Sequence, residues 1–309
     1  MIGYIPFSGD PLDRAVASSL RRDPAWLEAR LADPASRFLP VWRLNALTTD
    51  GEDTRLVWLD RSVLRHAAER DPPVLLGLLG EAARFAVDLS PLEEPLSRLG
   101  LEGVAFTDTR AAATRLPEGE AGTVAHARSL LDWHNRHRFC PACGRPTEPR
   151  DGGSMRKCDA CGAEHFPRTD PVVIMVVWRG DRCILGRQKQ WAPGFYSAIA
   201  GFIDQGESIE EAVRREVKEE VGLDVDEVVY RASQPWPFPS SLMIGCFAHV
   251  TGDSESVDSF ELDGARWFTR DQLRGYFASP DPASMGFGLP GPVAIAHHII
   301  KDWSEQSDL

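Results

Sequence analysis

The sequence has no apolar run long enough to cross a lipid bilayer. Its longest uninterrupted apolar stretch is Val172–Trp178, whereas a membrane-spanning helix needs about 20 apolar residues. The opening residues Met1–Pro11 contain Ser8, Asp10 and two prolines, so they lack the basic, apolar and small-residue order of a secretory signal. These absences predict a cytoplasmic protein.

Basic residues are also in short supply, with 34 Lys and Arg against 46 Asp and Glu and a formal net charge of −12. A protein that coats DNA or RNA needs the opposite balance. A phosphate-bearing substrate is compatible with this charge when it arrives with a divalent cation, because the cation offsets part of the repulsion. The hydrophobic share of 43% excludes disorder as the main state, and 309 residues are enough for about two domains.

Cysteine is scarce too, since six residues are too few for a disulfide framework in a chain of this length. Four of them form two Cys-x-x-Cys pairs, namely Cys140, Cys143, Cys158 and Cys161. Two residues between thiolates let one tight turn direct both sulfurs at a tetrahedral ion about 2.3 Å away, and Gly144 and Gly162 supply permissive backbone after each pair. The repeated spacing predicts one structural Zn²⁺ per chain, with a redox dithiol as the alternative. Cys183 and Cys246 lie in apolar runs and are predicted to be buried.

Three segments differ in pattern and are predicted to be three domains. Residues 1–128 alternate strand-like stretches, such as Phe38–Leu47, with helical ones and predict an α+β domain without a chemical site. Residues 129–168 contain the cysteine pairs and predict a zinc ribbon, for which nucleic-acid binding is the alternative role. Residues 169–309 alternate strands and helices, including a hairpin around Arg179–Arg182 and a helix over Ser208–Val221.

The helix predicted at Ser208–Val221 has clear end signals and one apolar face. Ser208 followed by Glu211 is a capping-box pattern, and Gly222 is placed to end the helix in a left-handed conformation. Residues at helical spacing form a continuous apolar stripe, namely Ile209, Ala212, Val213, Val217 and Val221.

Carboxylates interrupt this apolar stripe. Glu216 and Glu220 fall inside it one turn apart, and Glu219 lies at its edge. Like charges at this spacing repel, and burying them without a partner costs several kcal/mol. A solvated acidic face, with pairs such as Arg215 to Glu219, explains the other acids but not these two. The pattern therefore predicts a bound cation, and all-oxygen ligands suit Mg²⁺ or Mn²⁺.

A proline-spaced segment follows the helix by about ten residues. It consists of Gln234, Pro235, Trp236, Pro237, Phe238, Pro239, Ser240 and Ser241. Alternate prolines keep the backbone extended and lower the entropy lost on ligand binding. The two aromatic rings offer stacking surfaces, and the amide and hydroxyl groups offer hydrogen bonds to a ribose or base. The alternative is a stiff surface connector.

These motifs together resemble the NADH pyrophosphatase subfamily of Nudix hydrolases. The Nudix box G-x5-E-x7-R-E-U-x-E-E-x-G-U is matched at every fixed position, namely Gly201, Glu207, Arg215, Glu216, Val217, Glu219, Glu220, Gly222 and Leu223. Ser233–Ser241 is similar to the subfamily motif SQPWPFPxS. The resemblance covers residues 129–309 well and extends to 1–128 only through a domain of plausible size. It implies an α+β protein with a Nudix α/β/α sandwich and mixed sheet, preceded by a zinc ribbon and an N-terminal α+β domain.

The resemblance also implies an activity, which is hydrolysis of the pyrophosphate bond of NADH or NAD⁺ to nicotinamide mononucleotide and AMP. The enzyme alternatives are removal of the NAD cap from RNA and hydrolysis of another dinucleotide such as ADP-ribose. A sensor that binds a nucleotide without cleaving it is the non-enzymatic alternative, although sensors usually lose the glutamates that are complete here. The implied assembly is a homodimer with no membrane partner.

The site residues follow from the same resemblance. The implied Mg²⁺ or Mn²⁺ ligands are Glu216, Glu220, Glu261 and the backbone carbonyl of Ala200. Glu219 is a weaker ligand or the general base, Asp263 competes with Glu261, and Glu207 is expected to pair with Arg215 without taking part in the chemistry. The implied substrate contacts are Phe166, Phe202, Ala296 and the segment Gln234–Ser241.

Overall fold

A computed structural model describes residues 2–67, 72–252, 256–257, 260 and 262–306. The chain forms two compact units. The N-terminal unit is Pro6–Thr169 with Trp236–Ser240, and the C-terminal unit is Met1–Ile5, Asp170–Pro235 and Ser241–Leu309. The proline-spaced segment is thus divided between the two units. The three-domain boundaries drawn from the sequence stay a prediction.

Among the residues that the structure describes, no helix combines the length and apolar character that a membrane span requires.

The N-terminal unit contains a five-stranded mixed sheet surrounded by helices. In chain order its elements are α1 (Arg14–Leu20), α2 (Pro24–Ala32), β1 (Arg37–Trp42), β2 (Asn45–Thr49), a 3-10 helix (Arg61–His66), β3 (Val74–Leu79), β4 (Ala82–Asp88), α3 (Pro95–Leu99), β5 (Val104–Thr107), α4 (Thr109–Ala113) and α5 (Glu120–Arg136). The strand order is β3-β4-β1-β2-β5, with β1 and β4 parallel. Phe38 and Phe85 stack at the centre, with ring centroids 5.2 Å apart.

The cysteine-rich part of the N-terminal unit forms a small antiparallel sheet. Its strands are β6 (Glu148–Arg150), β7 (Met155–Lys157) and β8 (Glu164–His165). Strands of two or three residues bury little apolar surface, so this sheet depends on other sources of stability.

The C-terminal unit contains a six-stranded mixed sheet. Its elements are β9 (Asp170–Arg179), β10 (Arg182–Arg187), β11 (Ile199–Phe202), α6 (Ile209–Val221), β12 (Val225–Trp236), β13 (Ser241–Val250), β14 (Gly264–Thr269), α7 (Arg270–Ala278), a 3-10 helix (Pro282–Met285) and α8 (Ile295–Glu305). The order is β12-β13-β9-β10-β14, and β11 pairs with β9. Strands β9 and β13 are parallel. Arg179 pairs with Arg182, which confirms the predicted hairpin.

Helices cover both faces of this sheet because side chains alternate along β9. Val173, Met175 and Val177 pack in one core with residues of α6. The intervening Ile174 and Val176 pack in a second core with α7 and α8 residues. A strand buried on both faces reads as a continuous apolar run. The predicted α/β/α sandwich with a mixed sheet is confirmed.

Candidate metal sites and substrate segment

The four paired cysteines converge in the N-terminal unit. All four Sγ atoms lie within 4.8 Å of one another, with Cys140 to Cys161 at 3.7 Å and Cys143 to Cys158 at 3.5 Å. Sulfurs bound to one tetrahedral Zn²⁺ at about 2.3 Å lie about 3.8 Å apart. The donor set and its spacing therefore fit zinc, and no coordination position is left for a substrate.

The two cysteine pairs form matching turns. The N–H of Gly144 donates to the Cys140 carbonyl at 2.8 Å, and the N–H of Gly162 donates to the Cys158 carbonyl at 2.7 Å. Both glycines have a positive φ, 74° and 77°, which a residue with a Cβ adopts at a cost. A hydrogen bond from the backbone N–H of Cys161 lowers the pKa of the Cys158 thiol to about 7, which favours the thiolate that zinc needs.

A buried arginine joins the small sheet to α5, a feature that no local pattern predicts. Arg156 is 4% exposed and donates from Nε to Thr147 Oγ1 at 2.8 Å and from Nη2 to the Thr147 carbonyl at 2.6 Å. Its Nη1 lies 3.0 Å from His134 Nδ1, and His134 Nε2 lies 2.8 Å from the Gly153 carbonyl. These contacts assign the proton of a neutral His134 to Nε2 and hold the sheet against the end of α5.

Helix α6 has the ends that the sequence predicts. The capping box between Ser208 and Glu211 is present, and Gly222 ends the helix at φ 74°. Of the predicted apolar stripe, Ala212, Val213, Val217 and Val221 are all fully buried. Glu216 and Glu220 are 7% and 6% exposed, so both carboxylates lie on the buried face, as predicted.

Arg215 is the hub of the carboxylate cluster. It binds Glu207 in a fork, with Nε to Oε1 at 2.6 Å and Nη2 to Oε2 at 2.8 Å, so the predicted ion pair is present. Its Nη1 donates to Glu216 at 2.7 Å and to Glu219 at 3.0 Å. Hydrogen bonding to Arg215 lowers the pKa of Glu207 to about 2, and the same bond raises the pKa of Arg215. Arg215 also donates to the Phe202 carbonyl at 2.8 Å, which ties β11 to α6.

The first glycine of the box brings β11 against the Glu216 carboxylate. A Cβ built on Gly201 would overlap all three atoms of that carboxyl group. Ala200 precedes it on β11 and is paired with Ile174 of β9. The backbone of Ala200 and Gly201 therefore lies beside the buried Glu216 carboxylate of α6. The predicted ligation of one cation by the Ala200 carbonyl and the Glu216 carboxylate requires this proximity.

Gly201→Ala is expected to lower kcat by at least about tenfold, because displacement of a catalytic group by about 1 Å can cost far more. The added methyl group would force the Glu216 carboxylate out of its position. Gly252→Ala is the matched control, because the atom nearest a Cβ there is 3.9 Å away. Steady-state kinetics and thermal unfolding of both variants check the expectation. Wild-type kcat in Gly201→Ala, with an unchanged melting temperature, would contradict it.

The third predicted metal ligand, Glu261, lies outside the described residues. Its competitor Asp263 is ion-paired with Arg187, and the Asp263 N–H donates to the Arg187 carbonyl at 2.8 Å. Within the described ranges, the four cysteines are the only group of three or more metal-ligating side chains that lie close enough to share an ion. Glu216 and Glu220 fit a hard cation by chemistry and burial, and Ala200, Glu219 and Glu261 stay predicted as further ligands.

The aromatic residues of the proline-spaced segment pack within the N-terminal unit. Trp236 and Phe238 each lie edge-on to Phe7, with ring centroids 5.9 Å apart. The Arg110 guanidinium lies 4.0 Å from the centroid of Phe238 and 5.7 Å from that of Trp236. Arg128 donates from Nε to the Pro237 carbonyl at 2.8 Å. The segment is therefore anchored on residues far away in sequence, and both rings remain half-buried.

The other predicted substrate residues differ in accessibility. Phe166 in the N-terminal unit is 63% exposed and Phe202 in the C-terminal unit is 59% exposed, so both rings are available for stacking. Gln234 is fully buried and Ala296 is 3% exposed. Pro235 and Pro239 are exposed, Pro237 is buried, and Ser240 and Ser241 are half-buried. Burial does not favour a substrate contact of either side chain, so the contacts of Gln234 and of the Ala296 backbone both stay predictions.

Comparisons with known proteins cover most of the chain. It matches the NUDIX domain over residues 168–285, the NADH pyrophosphatase zinc ribbon domain over 135–166 and the NADH pyrophosphatase-like rudimentary NUDIX domain over 35–133. The last match identifies a region for which the sequence predicted only an α+β domain.

Three relatives are similar over most of their length. The NAD-capped RNA hydrolase NUDT12 of Homo sapiens is 38% identical over 96% of this chain and 72% of its own. The mitochondrial NAD(P)H pyrophosphatase NUDT13 of Homo sapiens is 39% identical over 83% and 74%. The NAD-capped RNA hydrolase NudC of Mycobacterium bovis (strain BCG / Pasteur 1173P2) is 38% identical over 84% and 85%. With these matches and a complete Nudix box from Gly201 to Leu223, the chain belongs to the NADH pyrophosphatase subfamily of Nudix hydrolases.

Proposed function

We propose that this hydrolase cleaves the pyrophosphate bond of NADH or NAD⁺ and releases nicotinamide mononucleotide and AMP. The observation that carries the proposal is the buried pair Glu216 and Glu220, one turn apart on α6 and 7% and 6% exposed. Two carboxylates one turn apart are costly to bury on a helix face that packs on a sheet, and a divalent cation beside the Arg215–Glu216 ion pair would offset that cost. The names of the relatives, an NAD(P)H pyrophosphatase and NAD-capped RNA hydrolases, support NAD as the substrate moiety.

Glu216, Glu220, Glu261 and the carbonyl of Ala200 are the proposed ligands of Mg²⁺ or Mn²⁺. Such an ion, when bound, neutralises pyrophosphate oxygens and lowers the pKa of a coordinated water. Arg215 keeps the carboxylates in place, because one guanidinium bonds to Glu207, Glu216 and Glu219 at once. The Glu219 side chain is 47% exposed, so it can reach a proton of an attacking water as the general base.

Recognition of the nucleosides is proposed to use aromatic surfaces. The exposed rings of Phe166 and Phe202 are available to bases, and a base stacked on an aromatic ring gains about 1–3 kcal/mol. Trp236 and Phe238 are held by Phe7 and Arg110, which orders them before a ligand arrives. Ordering in advance lowers the entropy lost on binding.

Trp236→Ala tests whether this segment recognises a nucleoside or only braces the fold. We expect kcat/KM for NADH to fall by roughly tenfold to hundredfold, with a much smaller loss on a minimal diphosphate ester that has no base. Phe7→Leu is the control, because Phe7 is 1% exposed and supports the segment without offering a surface to substrate. If Trp236→Ala lowers kcat/KM equally on the two substrates, the segment stabilises the fold and does not recognise a nucleoside.

Removal of the NAD cap from RNA is the second candidate, favoured by the names of two relatives. It would use the same carboxylates. The net charge of −12 disfavours binding of the RNA body, because backbone contacts to nucleic acid need clustered Lys and Arg. We therefore place the free dinucleotide first.

A substrate panel decides between these candidates. Purified protein with Mg²⁺ or Mn²⁺ is assayed on NADH, NAD⁺, ADP-ribose and NAD-capped RNA, with products separated by chromatography. The proposal predicts the highest kcat/KM on NADH or NAD⁺. A capped RNA that is cleaved much faster than both would replace the first candidate by the second.

A homodimer in the cytoplasm is part of the proposal and is supported by the family resemblance. Light scattering on purified protein is expected to give twice the 34.2 kDa mass of one chain.

A further inference from the structure

We infer that Gln234 is a positioning residue, which fixes the first turn of α8, and does not itself bond to the nucleoside. The inference rests on the proposed function in one respect, which is that the backbone at Ala296, in this first turn, contacts the substrate. It assigns the glutamine of the proline-spaced segment a role different from that of the aromatic residues after it.

The Gln234 side chain is fully buried, and both of its polar ends are bound. Its Oε1 accepts from the N–H of Ile295 at 2.8 Å. Its Nε2 donates to the carbonyl of Val293 at 2.8 Å. The one side-chain amide therefore bonds to the backbone on both sides of Ala294, where α8 begins.

The N-cap position of α8 explains why a distant amide is needed. The first N–H groups of a helix have no partner within the helix, and Ser, Thr, Asp or Asn at the N-cap normally supplies one. Position 294 has the extended backbone of an N-cap, φ −102° and ψ 137°, but it is an alanine without a side-chain acceptor. Gln234, 61 residues before Ile295, supplies an acceptor for the N–H of Ile295, the first residue of α8.

Packing makes the position of this first turn sensitive. A Cβ on Gly245 of β13 would lie 3.0 Å from side-chain carbons of both Ile295 and Ile299, so α8 approaches the sheet closely. Side chains of α8 also hold the preceding loop, because His297 Nδ1 lies 2.9 Å from the Pro290 carbonyl and His298 Nε2 lies 2.8 Å from that of Pro292. The two histidines bond to carbonyls of the loop, whereas Gln234 accepts from a backbone N–H of the first turn, that of Ile295.

The proposal is tested with Gln234→Met, which keeps the length of the side chain and removes both hydrogen bonds. We expect KM for NADH to rise about tenfold, as for the loss of about one net hydrogen bond, while kcat changes less. Arg274→Met is the matched control. It removes a 2.6 Å hydrogen bond from Arg274 Nε to the Ser304 carbonyl at the opposite end of α8, so it is expected to lower stability without changing KM.

Rescue separates positioning from direct contact. Adding Ala294→Ser to Gln234→Met gives the first turn a local acceptor for the N–H of Ala296 or His297 in place of the lost bond at Ile295, which is expected to return KM most of the way to the wild-type value. If Gln234 instead bonds to the substrate, the serine restores the melting temperature and leaves KM high, which overturns the inference. A KM in Gln234→Met equal to that of the Arg274→Met control also overturns it.

A measurement that does not depend on NADH cleavage tests the anchoring of α8 independently of the proposed function. Amide hydrogen exchange of the ligand-free protein is expected to speed up at Ile295–His298 in Gln234→Met and to return toward wild type with Ala294→Ser. Unchanged exchange there overturns the anchoring of α8. Faster exchange in a protein whose wild-type form does not cleave NADH supports the anchoring and overturns the proposed function.

Discussion

Replacing Glu220 by Gln is expected to lower kcat for NADH by at least about a hundredfold. Glutamine keeps the volume of the side chain but loses the negative charge that a divalent cation needs from its ligand. Glu220 is 6% exposed, so solvent has little access to replace its carboxylate as a metal ligand. The fold is expected to persist, because a neutral amide relieves the repulsion between residues one turn apart.

Glu216→Gln is expected to behave in the same way, with one added effect. Glu216 also accepts a hydrogen bond from Arg215 at 2.7 Å, so the substitution weakens that ion pair as well. Glu210→Gln is the control on the same helix, since Glu210 is exposed and is not part of the cluster. Rates at saturating Mg²⁺ and the melting temperature are measured for all three variants. Near-normal turnover in Glu220→Gln would remove it from the metal site.

The second large effect is expected at the zinc ribbon. Cys158→Ser should reduce bound zinc from about one ion per chain toward zero and destabilise the N-terminal unit. Three strands of two or three residues cannot bury a core, so metal binding supplies most of the folding free energy of such a module. Loss of about 4 kcal/mol would lower the melting temperature by roughly 8–16 °C. Activity should fall only as folding fails.

Elemental analysis and calorimetry check this result, with Cys246→Ala as the control. Cys246 is fully buried in the other unit, and burial raises its pKa to about 11, so it behaves as a small apolar residue. Its replacement should leave zinc unchanged. Wild-type protein purified without zinc would contradict the assignment. A mild chelator that abolishes catalysis beyond recovery by Mg²⁺, with the fold intact, would contradict it too.

Helix α6 could be predicted to within one residue because its signals are local. The capping box at Ser208 and Glu211 and the stop at Gly222 are each set by neighbours within one turn. The same is true of the cysteine turns, where Gly144 and Gly162 adopt the expected positive φ. Burial of Cys183 was predicted from its apolar run and is complete.

The N-terminal sheet was harder to predict because its turns and pairings lack local signals. The single strand-like stretch expected at Phe38–Leu47 is two strands, β1 and β2. The turn between them uses Arg43 and Leu44 at φ 49° and 64°, a conformation usually marked by Gly or Asn. Strand β3 was not predicted at all, and at its Gly77 a Cβ would lie 2.8 Å from Leu12 Cβ. Such approaches depend on residues far away in sequence.

The candidate site also combines features set by local sequence with features set by contacts between distant residues. Glu216, Glu220 and the four paired cysteines follow from spacing, since each group occupies one helix or one pair of turns, whereas Glu261 is implied only by the family resemblance. The grip of Gln234 on α8 joins residues 61 positions apart, and the contact of Phe7 with Trp236 joins still more distant ones. Spacing in the sequence predicts the candidate groups, and tertiary packing decides what holds them in place.

Product analysis of NADH hydrolysis tests whether this protein is a metal-dependent NADH pyrophosphatase. Zinc-loaded wild-type protein and Glu220→Gln are incubated with NADH and Mg²⁺, and the reduced nicotinamide mononucleotide and AMP are quantified over time. We expect equal amounts of both products from the wild-type protein and a rate at least about a hundredfold lower from Glu220→Gln. Folded wild-type protein that leaves NADH intact would contradict the proposed activity, and a Glu220→Gln variant that cleaves NADH at the wild-type rate would contradict the role of Glu220.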